Sequence, residues 1–141
     1  MDVSRISPTT RTALIGDVVV LAVLTVIGFA SHATLNEVPR MITTFVAFLV
    51  AWALVAPWFG VYQEAILPET RQVWRVALAW LAAAPLGALL RSVLLNRSIV
   101  DVTFVLVTIA INGLVLVAWR ALYAARLSRH TAAADPTASP R

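Results

Sequence analysis

The chain has 141 residues, 60% of them hydrophobic and 13% charged, with a mean hydropathy of +0.86. Soluble domains carry roughly 45–50% apolar and about 25% charged residues, so a water-soluble globular domain is excluded, as is a chain disordered throughout. Eleven basic residues against seven acidic give a net charge of +4, and the absence of cysteine removes disulfides, thiolate metal sites and cysteine nucleophiles.

About 20 apolar residues cross a hydrocarbon core of roughly 30 Å, and four runs reach that length. The first covers residues 13–31, interrupted only by Asp17; the second, residues 41–62, has no charge. The third, residues 74–95, carries Arg75 at its start and Arg91 near its end. The fourth, residues 99–121, carries Asp101 near its start and Arg120 at its end. Barrel strands would be short and alternating, so the expected fold is all-α, a four-helix transmembrane bundle. The connections 32–40, 63–73 and 96–98 are too short to hold a further domain. Residues 1–127 form one membrane domain, and the tail 128–141, rich in Ala, Pro, Ser and Thr, is expected to be disordered. Arg5 and Arg11 ahead of an apolar run have the look of a signal peptide. Asp17 interrupts that run and no A-x-A site follows Phe29, so it is expected to stay as a span.

All eleven basic residues are arginines, and they punctuate the apolar runs instead of clustering on one face. Nucleic-acid binding needs a clustered basic face, so no nucleic-acid partner is expected. With both termini cytoplasmic, Arg5, Arg11, Arg71, Arg75, Arg120, Arg126, Arg129 and Arg141 fall inside, while Arg40, Arg91 and Arg97 fall outside. Eight against three satisfies the positive-inside rule. Trp58, Tyr62, Trp74, Trp119 and Tyr123 then form one aromatic belt at the inner interface.

Helical spacing assigns interior faces. Asp101, Val105, Thr108, Asn112, Val115 and Trp119 share one stripe of the fourth span, and its polar side chains turn it inward, since lipid offers them no partner. Ala77, Trp80, Ala84, Gly87 and Arg91 do so in the third span, where small residues permit close approach. Asp17, Leu21, Gly28 and His32 line up in the first. Arg91 and Asp101 lie at matching depth on adjacent antiparallel helices, which predicts an ion pair. Asp17 lies within reach of Arg75 or Arg120. Plainer roles stand beside these: Asp17 and Asp101 as first-turn acids, Arg91 as a snorkelling anchor, Asn112 as interhelical glue and His32 as an interfacial loop residue. Trp52 and Trp80 lie deeper than a belt and serve as packing or as walls of an apolar pocket. Pro57 and Pro85 are expected to kink their helices.

Asp17 opening the first span, the Ser31-His32 pair at its end, the proline-and-aromatic close of the second and the Pro85-Leu86-Gly87-x-x-x-Arg91 string in the third form a pattern with the Trp119-Arg120 end of the fourth. It resembles a family of small bacterial and archaeal four-span membrane proteins known only as a domain of unknown function. The family pattern has an arginine between the glycine and the Ser-His pair, where this chain has Phe29-Ala30 after Gly28. The resemblance implies the topology, placement in a prokaryotic cell membrane, and no reaction. No HExxH string, phosphate-cradling glycine loop or serine–histidine–acid set occurs in a span. His32 and His130 are too far apart for a metal cage. The chain is therefore expected to be neither an enzyme nor a cofactor carrier. The expected role is an accessory membrane subunit or a binder of an apolar molecule, in the bilayer and within a homo-oligomer or larger complex. The alternative is a small oligomeric proton-coupled transporter that uses Asp17.

Overall fold

Ser7 and Pro8 start the first helix before the apolar run begins. The Ser7 hydroxyl accepts from the Thr10 backbone N–H (3.2 Å), and Pro8 occupies a first-turn position that needs no donor. In the computed structural model, which describes residues 6–97 and 100–134, α1 runs Pro8–Ser31, α2 Val38–Val55, α3 Trp74–Leu94 and α4 Val102–Ala134. All four are long and apolar enough to cross a membrane, and no strand occurs among the described residues. The protein is a multi-pass, all-helical membrane protein.

Three boundaries differ from the sequence expectation. Helix α1 begins five residues early, which places Asp17 more than two turns inside it instead of in the first turn. Helix α2 stops at Val55, because Pro57 supplies no backbone donor and the chain tightens into a 3₁₀ turn at Ala56–Phe59. Gly60 then takes φ +66°, a left-handed conformation that glycine adopts without a Cβ clash, and reverses the chain. Helix α4 continues through Ala134 into the segment expected to be disordered. The expected start of the fourth span at Ile99, and residues 135–141 of the tail, lie outside the described residues. Pro85 sits on an exposed face of α3, and the helix continues through it.

Helices α2 and α3 make the most extensive contact, α3 and α4 the next, and α1 touches α2 and α4 more sparsely. Small side chains explain the first pair. Ala47 and Ala51 on α2 are buried, as are Ala79, Ala83, Ala84 and Ala88 on α3. Helices in lipid gain little from apolar burial and associate by close packing instead. Gly87 carries this furthest: a Cβ there would lie 2.5 Å from the Phe48 ring. The close approach expected of the α3 stripe is thus made by an aromatic ring, and Ala77 at its end is exposed. On α4 the buried face is Thr108, Leu116 and Arg120, rotated by about one residue position from the expected stripe. Val115 and Asp101 are exposed there.

Candidate functional site

The break at Pro57–Gly60 folds Val61 and Tyr62 back toward the bundle, where they meet α1 and α4. Asp17, 1% exposed, forms a bidentate ion pair with Arg120, 4% exposed. Arg120 Nε donates to Asp17 Oδ1 at 2.8 Å and Nη2 to Oδ2 at 2.6 Å. The Tyr62 hydroxyl donates to Oδ2 at 2.7 Å. Trp52 Nε1 points at both, 3.1 Å from Asp17 Oδ2 and 2.8 Å from Tyr62 Oη. Arg120 spends a further donor on the Val61 carbonyl at 3.3 Å and lies 4.8 Å from the Tyr62 ring centroid. One carboxylate therefore collects donors from α2, the loop after it and α4. Two opposite charges that share hydrogen bonds this way satisfy each other where water is excluded. The cluster locks the helices together toward the end where α1 begins.

A second polar group lies farther along α1. Gly28 is eleven residues past Asp17, or about 16 Å at 1.5 Å per residue. There α1 stands off from the rest and borders a cavity of about 450 Å³, within the usual range of small-molecule sites, roughly 300–1,000 Å³. A Cβ on Gly28 would meet nothing within 4 Å. Apolar atoms make most of the wall's surface, with Leu24, Phe48 and Phe104 among the contributors. Ile27, Val107 and Ile111 are exposed at its rim, so it opens sideways between α1 and α4. Its charged lining residues are Arg40 and Arg91, beside His32, Asn112 and several hydroxyls, with no acidic residue. Thr44 joins the two arginines, accepting from Arg91 Nε at 2.9 Å while donating to the Arg40 carbonyl at 2.8 Å. The Arg91 guanidinium lies 4.6 Å from the Phe104 ring centroid.

Residues 14–123 match the model of a family described as "Protein of unknown function (DUF3054)". The chain belongs to this family. The matched segment contains all four side chains of the Asp17 cluster and every lining residue of the cavity. No curated protein and no solved structure matches the chain.

In this DUF3054 member the residues singled out from sequence separate into two groups. Asp17 joins Arg120, while Arg75 reaches the Phe59 carbonyl (3.2 Å) and Gln72 (2.9 Å). His32, Arg91 and Asn112 line the cavity. The expected Arg91–Asp101 ion pair does not form. Asp101 immediately precedes α4, and its carboxylate accepts the Phe104 backbone N–H at 3.1 Å. A helix-capping bond to its own chain competes successfully with a distant arginine that Thr44 and Phe104 already hold. Trp52 and Trp80 do not line the cavity. Each indole N–H needs an acceptor, which draws Trp52 to Asp17 and Trp80 to the Thr108 carbonyl (3.1 Å). The cavity's phenylalanine walls are instead Phe29, Phe48 and Phe104, the last two with ring centroids 6.1 Å apart. Tyr62 leaves the expected aromatic belt for the Asp17 cluster, whereas Trp58 and Trp74 stay exposed at 89% and 53%. The role of Tyr62 has no sequence signal beyond its place after a Pro-to-Gly break.

Proposed function

We propose that this protein binds an apolar molecule within the bilayer, as an accessory membrane component without a catalytic step. The cavity beside Gly28 carries this reading: a mostly apolar space of ligand size, bordered by α1 and open sideways between α1 and α4. The Asp17–Arg120 cluster supports it by fixing one end of the bundle while α1 stands off at the other. Placed in a prokaryotic cell membrane with both termini cytoplasmic, as the arginine distribution favours, the cavity belongs to the outer-leaflet half. Proton-coupled transport through Asp17 is the weaker reading, because that carboxylate is 1% exposed, occupied by four donors of the protein itself and outside the cavity lining.

The test uses the purified full chain in dodecyl maltoside and tritiated hexadecanol, with binding read by scintillation proximity. The wild type should bind saturably. Gly28→Leu should fill the cavity and reduce binding severely, with an unfolding temperature unchanged or raised, since glycine is unfavourable in a helix by about 1 kcal/mol. Equal binding by wild type and Gly28→Leu would reject the cavity as the site.

A further inference from the structure

The polar wall of the cavity selects a ligand chemistry. Arg91 lies in a segment that crosses the membrane, yet among the described residues no carboxylate stands at ion-pairing distance from it. Its one hydrogen bond among the described residues uses Nε, which leaves the N–H groups of both Nη atoms without a partner there. Arg40, on the same wall, is balanced through Nη1 by Glu37 at 2.6 Å, but its buried Nε has no partner among the described residues. The side-chain amide of Asn112, deeper along α4, makes no hydrogen bond among the described residues either. Polar groups left unsatisfied in hydrocarbon cost several kcal/mol each; away from the cavity, Trp119 Nε1 is the other buried side-chain donor without a partner among the described residues. What distinguishes the cavity wall is its sign: Arg40 and Arg91 stand on it and no acidic residue lines it.

We infer that the cavity takes an anionic amphiphile, with an oxyanion head between Arg91 and Arg40 and an apolar chain against Phe48, Phe104 and Leu24. A planar guanidinium presents two parallel donors that match a carboxylate or phosphate edge. Thr44 sets the Arg91 fork in place by holding Nε, so that both Nη groups are free to face the head. Phe104 beneath the guanidinium stabilises the cation without consuming a donor. Asn112 offers a second polar contact further along the chain. This inference rests on the cavity being the binding site and adds the charge of what enters it.

The same full chain in dodecyl maltoside is loaded with tritiated palmitate, and unlabelled palmitate, hexadecyl phosphate and hexadecanol compete. Palmitate or hexadecyl phosphate, or both, should displace the label at concentrations roughly ten- to a hundredfold lower than hexadecanol, as expected for a charge-assisted pair. Which of the two is stronger distinguishes a fatty carboxylate from a lipid phosphate. Arg91→Gln should remove the anions' advantage over hexadecanol, and Arg91→Lys should restore part of it. The hexadecanol arm reports that the Arg91→Gln cavity is still folded. Equal competition by all three compounds, or anion binding indifferent to Arg91→Gln, overturns the anionic assignment and leaves the apolar reading intact. Failure of palmitate and hexadecanol alike overturns both.

Discussion

Asp17→Ala should be the most damaging single change in the bundle. It removes the acceptor of four hydrogen bonds and leaves the Arg120 guanidinium, 4% exposed, without a counter-charge. Removing one partner of a buried pair costs on the order of 3–5 kcal/mol. Snorkelling gives little relief, because Arg120 is enclosed by α1, α4 and the loop after α2. Arg120→Leu should cost a similar amount, since it strands the carboxylate. The double variant strands neither charge, so its loss should fall short of the sum by about 2–3 kcal/mol, the upper part of the range for directly coupled residues. Equilibrium unfolding in mixed dodecyl maltoside and SDS, followed by circular dichroism, measures all four corners of the cycle. A cycle that adds within about 0.5 kcal/mol, or an Asp17→Ala protein as stable as wild type, would refute the lock.

Asp101 should behave as a helix cap: Asp101→Ala should lose about 1 kcal/mol, while Asp101→Asn, which keeps the accepting oxygen, should stay near wild type in the same unfolding assay. A large loss in the asparagine variant would restore the ion-pair role. Alkaline phosphatase fused after Glu37 or Asn96 should be active, and fused after Glu69 or Arg129 inactive, as the eight-to-three arginine split requires. Activity at either of the last two junctions would invert the orientation.

Much of the architecture is legible in the amino-acid order, and the reason is local. The length of an apolar run is set by bilayer thickness, so four runs give four spans whatever their packing. Lipid offers no partner to a charge, so Asp17 has to face inward wherever its helix lies. The alanines and Gly87 of α3 mark a close helix interface for a similarly local reason. Even the break after α2 is visible in Pro57 and Gly60.

Pairing is not local, and there the tertiary structure decides. Asp17 has two arginines within nominal reach. The order and rotation of the helices select Arg120, while Arg75 goes to Phe59 and Gln72. Sequence places Arg91 and Asp101 at matching depth, yet each bonds elsewhere: Arg91 Nε to Thr44 across the bundle, the Asp101 carboxylate to a backbone N–H three residues on. Tyr62 and Trp52 read as belt and packing residues until the reversed loop brings them to one carboxylate. The cavity is the least legible feature. It exists because α1 is held tightly at Asp17 and stands off at Gly28, and the space between helices depends on every side chain that keeps them apart. No spacing rule along a single chain contains that distance.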